Sequence, residues 1–211
     1  MKNNDSRYSP QMDVAEQNQA KYPLVFAAVE KLTKSSTPAI IAIDGRCGSG
    51  KSSLSAILAE KFDCNVFHMD DFFLPFEMKT KERLDKPGGN VHYERFQEEV
   101  LKPLNNSKTV IYRAYSCLSG TFGEAIHIDP KKITIVEGVY CLHPTLSQYY
   151  DYKIFLNLSS QIQQKRILKR NGEKMFQNFR DKWIPMEENY FGNLDIEDQC
   201  DIVVDTSDFW I

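Results

Sequence analysis

The chain has 211 residues, 42% of them hydrophobic and 26% charged, with a formal net charge of −3. That length supports one well-buried core rather than two, the composition is that of an ordinary globular protein, and the charge balance excludes a broad electrostatic grip on a nucleic-acid backbone. Five cysteines, scattered and without a CxxC pair, fit neither a zinc site nor a disulfide framework.

The opening "MKNNDSRYSPQMDVAEQNQ" has no apolar leader, and no apolar run reaches transmembrane length. A cytoplasmic protein with no membrane partner is therefore expected. Residues 1–10 are polar, whereas 12–32 carry Val14, Tyr22, Val25, Phe26, Val29 and Leu32 at partly helical spacing, which predicts an amphipathic leading helix. After "TKSSTP", short apolar, β-branched runs at 39–44, 65–70, 109–112, 133–137, 153–158 and 201–205 read as buried strands. Helical stretches at 51–61, 93–104, 160–170 and 174–190 lie between most of them. This alternation predicts an α/β fold of three layers around a mainly parallel sheet. With no repeat or linker, one domain is expected over 1–211, with 1–37 as a helical extension and about 160–190 as a lid. Residues 72–90, holding Pro75, Pro87, Gly88 and Gly89, read as a long irregular insertion, a common place for function.

The segment "GRCGSGKS", Gly45 to Ser52, fits GxxxxGK[ST] and lies after an apolar strand and before a helix. Glycines let the backbone N–H groups turn inward where side chains would block a phosphate, and the following helix adds its positive end. Gly45, Arg46, Cys47, Gly48, Ser49, Gly50, Lys51, Ser52 and Ser53 are accordingly the expected nucleotide contacts. Lys51 would reach the β and γ phosphates, and Ser52 would ligate Mg²⁺. A switch GTPase does not fit, since NKxD is absent and the DxxG at 85–88 contains a proline and follows no strand. The size suits a small-molecule kinase using ATP and Mg²⁺.

In "FHMDDFF", Asp70 and Asp71 fall at a strand's C-terminal edge, where open α/β sheets bind ligands. Asp70 is the expected general base, with Phe72 beside the acceptor. Glu137, closing the strand "ITIVEG", is an acid placed to bind Mg²⁺ or its waters. Arg166 and Arg170 lie four apart on one helical face and are the expected lid cations, Arg166 with a catalytic part; Arg180 is a further candidate. Tyr93 and Glu94 of "GGNVHYERF", with Arg113 and Tyr115 of "YRAYSC", could hold a polyol or nucleoside. His68, His127 and His143 have no metal-like spacing.

Taken together, "IAIDGRCGSGKSS", "HMDDFF", "YRAY", "IVEGVY" and "QKRILKR" resemble the uridine kinase and phosphoribulokinase superfamily of P-loop kinases over most of the chain, from Ile40 to about Asp205. "DDFF" is also similar to nicotinamide riboside kinases. The resemblance implies a P-loop NTPase fold with a helical lid, Asp70 as base, Glu137 as the Mg²⁺-associated acid, Arg166 as a lid residue and Tyr115 near the acceptor's base. It makes the 5′-hydroxyl of uridine or cytidine the first expected acceptor, with nicotinamide riboside, pantothenate or a sugar acid as alternatives and a nucleotide-sensing module as the non-enzymatic rival. Three departures bear on the acceptor: Ser116 stands where uridine kinases have aspartate, "CLSGTFG" lacks the histidine and arginine that usually follow, and "GGNVHYERF" replaces "NxDHP", with Glu94 as the candidate substitute for the lost aspartate. The expected partners are a nucleoside triphosphate and a small-molecule acceptor, with no nucleic acid; a homo-oligomer is compatible.

Overall fold

The computed structural model describes residues 14–209. Two helices, α1 (Val14–Lys21) and α2 (Pro23–Thr33), replace the single leading helix expected over 12–32. Pro23 disfavours helical backbone at Tyr22, so the chain breaks there and restarts with proline at the first helical position. Met12 lies outside the described residues.

Strand β1 (Ala39–Gly45) leads through the glycine loop into α3 (Lys51–Phe62), and β2 (Asn65–His68) follows. The insertion is irregular as expected, with 3₁₀ turns at Met69–Phe72 and Phe76–Met78 and the short α4 (Lys81–Leu84). Next come α5 (Tyr93–Phe96), a π-helical turn (Gln97–Leu101) and α6 (Lys102–Asn105). They are followed by β3 (Val110–Ser116), β4 (Thr121–Ile128), β5 (Ile133–Glu137), α7 (Pro144–Ser147) and β6 (Tyr152–Asn157). As the helical stretches at 160–170 and 174–190 predict, the helical run α8 (Ser160–Asn178) is broken at Gly172, whose backbone is non-helical with φ +74°, and its second segment passes through a π-helical turn (Phe179–Trp183) into α9 (Ile184–Asn193). The chain ends its sheet with β7 (Ile202–Asp205).

Five strands form a parallel sheet in the order β2-β5-β1-β6-β7. The run at 109–112 does not join it. It lies within β3, which pairs only with β4 as an antiparallel hairpin. The burial pattern explains the difference: Val110, Tyr112 and Tyr115 are buried while Ile111 and Arg113 are exposed, whereas a parallel strand is covered on both faces. β4 is exposed along nearly all its length and lacks the apolar run that would announce it.

Along β1, alternate side chains enter two cores. Ile41 and Ile43 pack with Leu54 and Leu58 of α3 and with Val25, Phe26 and Val29, so α2 serves to cover the sheet. Ile40 and Ala42 face Phe96, Val100, Leu101 and Tyr190 on the other side. Among the described residues no helix is long and apolar enough to cross a membrane, and all five cysteines are free thiols.

The end of β1 is held tightly. Gly45 has φ +138°, and a Cβ there would stand 2.2 Å from the Leu156 carbonyl oxygen of the neighbouring β6. The obstacle is backbone within a sheet and cannot swing aside. Gly45→Ala should therefore lower the melting midpoint by about 6–12 °C, as a loss of about 3 kcal/mol does in a chain of this size, measured by circular dichroism.

Candidate active site

Parallel register sets the ends of β1, β2 and β5 side by side, Glu137 pairing with Ile43 on one flank and His68 on the other. The loop after β1, the turn after β2 and the end of β5 therefore open on one cleft of about 650 Å³. It lies in the crevice at the carboxyl ends of the strands where such sheets bind ligands.

Lys51 is almost buried, and its ammonium donates to the carbonyls of Gly45 (2.7 Å) and Arg46 (3.0 Å). The Ser52 hydroxyl donates to Glu137 Oε1 at 3.0 Å, and His68 Nδ1 lies 2.6 Å from the same oxygen. That hydrogen bond raises the His68 pKa, with the Glu137 charge adding to it against partial burial. Among the described residues no group of three or more His, Cys, Asp or Glu side chains is arranged to cage a metal. Ser52 and Glu137 still fit Mg²⁺, which takes one or two protein oxygens and completes its shell with water and phosphate.

The two aspartates after β2 part company. Asp70 lines the cleft, where desolvation by the surrounding walls raises its carboxyl above the ordinary value although the Lys51 charge opposes the shift. Asp71 turns to the hairpin, accepting a hydrogen bond from the Tyr112 hydroxyl at 3.0 Å.

Of the lid arginines, Arg170 is the one that reaches the cleft, with its guanidinium 3.5 Å from Cys47 Sγ. Arg166, expected there too, is committed elsewhere: it donates to Gly48 O, to Thr206 O and Oγ1, and to Phe209 O, pinning α8 to the turn after β7. Arg180 pairs with Asp181 outside the cleft. The Arg46 side chain likewise faces away, bonded to Asn157 and paired with Glu188, which leaves only its backbone for the loop.

The expected acceptor residues do not converge. Phe72 is fully buried between Phe96 and Tyr112, and its neighbour Phe73 lines the cleft instead. Glu94 is gripped by both terminal nitrogens of Arg83 at 2.6 and 2.9 Å; although partial burial works against it, that pairing holds its carboxyl at about 2. Tyr93 stacks on His143 with ring centroids 3.8 Å apart. Arg113 is exposed on the hairpin. Tyr115 stands behind the cleft wall, its hydroxyl accepting the Phe76 N–H.

The structure also brings in residues with no motif to announce them. Tyr140 lines the cleft with φ +77°, rare for a bulky side chain. Asn90, Lys79 and Trp183 join it. Glu187 of α9, only 4% exposed, accepts the Cys47 N–H at 3.0 Å and so occupies the glycine loop with a carboxylate. Burial pushes this carboxyl up to about 7, although Lys51 and the Cys47 N–H pull the other way.

Residues 40–175 match the model of the Phosphoribulokinase / Uridine kinase family. A uridine kinase of Ligilactobacillus salivarius (strain UCC118) is 28% identical over 147 residues, which are 65% of this chain and 68% of that one. One from Clostridium botulinum (strain Okra / Type B1) is 28% identical over 153 residues, 63% and 67% of the two chains. The chain thus spans about two thirds of the length of these relatives. Among solved structures, a possible uridine kinase from Bacillus stearothermophilus superposes with a TM-score of 0.69 at 16% identity, covering 90% of this chain and all of that one. A D-glycerate 3-kinase from Cryptococcus neoformans superposes with 0.56 at 13% identity, covering 93% and 97%. At such identities the structural likeness speaks for the fold alone.

Glu187 yields a test of the loop. At pH 8 its carboxylate opposes an incoming phosphate, so Glu187→Gln should lower the dissociation constant for ATP about tenfold. An acid whose carboxyl is raised takes up its proton as pH falls through about 7, so the advantage of the variant should shrink between pH 8 and pH 6. Calorimetric titration of both proteins at the two pH values measures this.

Proposed function

The chain belongs to the phosphoribulokinase / uridine kinase family, and from that premise we propose that it transfers the γ-phosphoryl group of ATP to a hydroxyl of a small molecule. One observation carries the reading: Lys51, the Ser52–Glu137 pair and Asp70 arrive from three strand ends at a single cleft.

In this reading the loop N–H groups cradle the phosphates, and Lys51 exchanges its two loop carbonyls for phosphate oxygens. Glu187 leaves the Cys47 N–H as they enter. Ser52 and Glu137 would hold Mg²⁺, which when bound would supply charge neutralisation to the phosphates. Asp70, its basicity raised by the cleft walls, orients the hydroxyl and takes its proton. The acceptor oxygen bonds to the γ-phosphorus as the bridging bond to the β-phosphate breaks, and ADP departs with that electron pair. Arg170 is the lid cation we assign to the polyphosphate, and Arg166 anchors the lid beneath it.

Uridine rests as an acceptor on the names of the relatives, and cytidine on the sequence resemblance alone. Geometry lends them no side chain, since Glu94, Tyr93 and Arg113 lie outside the cleft. A pure nucleotide sensor would have no use for Asp70 beside the loop, which favours transfer.

Asp70→Asn should cut acceptor-dependent ADP formation by about 10²-fold or more, with calorimetric ATP affinity within a few-fold of the unsubstituted protein. Lys51→Ala should reduce turnover by about 10²–10³-fold through lost charge stabilisation. Undiminished turnover in either variant would contradict the assigned role.

A further inference from the structure

The cleft has a charge pattern that phosphoryl transfer alone leaves unexplained. Its three carboxylates all serve the loop end: Glu137 receives Ser52, Glu187 receives the Cys47 N–H, and Asp70 feels the Lys51 charge. The rest of the lining, drawn from residues 73–90, 138–140, the hairpin turn and 179–186, contains no carboxylate. It offers cations instead, Lys79 and Lys182.

Lys79 is half-buried, with its ammonium 4.7 Å from the Phe76 ring centroid and 4.0 Å from Cys117 Sγ, and it forms no ion pair among the described residues. A cation set against one aromatic ring and deprived of an anion is poorly compensated once a ligand displaces its water. ATP does not meet the need, because Lys51 and Arg170 already face the phosphate loop. A second group is also waiting: Asn90 Oδ1 is buried in the cleft wall without a hydrogen-bond donor, while its amide side lies against Tyr140. Buried acceptors of this kind ordinarily have a partner.

We propose that the acceptor is an anionic alcohol. Its carboxylate or phosphate group pairs with Lys79, a second hydroxyl or an amide N–H satisfies Asn90, an apolar segment lies on Phe73 and Phe76, and the reacting hydroxyl meets Asp70. A neutral ribose diol finds no carboxylate to read it here, because Glu94 is held by Arg83. This specificity rests on the kinase reading above.

The experiment is ADP release by the full chain with Mg-ATP, with Asp70→Asn as the blank. The neutral alcohols are uridine, cytidine and glycerol; the anionic ones are D-glycerate, D-pantothenate and ribose 5-phosphate, which separate carboxylate from phosphate. The expected result is turnover confined to an anionic alcohol. For that acceptor Lys79→Met should raise KM about 10–100-fold, far more than it lowers kcat, with ATP affinity unchanged and with recovery in Lys79→Arg. Turnover of a neutral alcohol, or a KM indifferent to Lys79→Met, would overturn the anionic acceptor and leave the kinase standing. ATP binding without ADP release across the whole panel would overturn the kinase reading and this specificity with it.

Discussion

The Asp44 carboxylate is the junction on which the cleft depends. It is fully buried at the end of β1 and accepts three hydrogen bonds, from the N–H groups of Gly45 and Leu142 and from the Tyr190 hydroxyl. Burial raises its pKa, and the donors and the Lys51 charge act against that rise. An acid so enclosed is tolerated only when its oxygens are satisfied, and satisfying them ties together the glycine loop, the loop after β5 and helix α9. Three walls of the cleft therefore hold their positions through one side chain.

The anchoring extends to α8 and α9. Tyr190 and Glu187 lie three apart on α9, on neighbouring positions of one helical face, so the bond to Asp44 also presents Glu187 to the Cys47 N–H. On α8 the base is pinned by Arg166 to Gly48 and to the turn after β7, while the helix bends beyond it at Gly172 and carries mostly exposed side chains from there to Asn178. Arg170 projects from the pinned half. A helical run fixed at its base and mostly exposed beyond its bend thus places the Arg170 cation on its anchored half.

The loop itself was legible because its information is local. An apolar strand, GxxxxGKS and a helix are contiguous in the chain, and each step dictates the next: Gly45 must pass under Leu156, and Lys51 opens α3. Asp70 and Glu137 could be picked out for a related reason, since acids that close buried strands of a parallel sheet must emerge at its carboxyl edge. The central parallel strands follow likewise from short β-branched runs separated by helices. The hairpin did not, because β3 is apolar on one side only and β4 carries no run to read.

By itself, then, the sequence determined the parallel sheet, the phosphate-type loop and the two strand-end acids, all of them set by neighbours a few residues away. Tertiary structure alone decided which other side chains face the cleft. Glu187 reaches Cys47 across 140 residues, and no spacing rule connects them. Glu94 has the composition of a sugar-reading acid, yet Arg83 lies close enough to capture it. Phe72 and Phe73 are equivalent in composition and differ only in which one the 3₁₀ turn directs into the core. Such outcomes depend on which charges and surfaces meet after folding, and partners brought together by topology leave no local pattern behind.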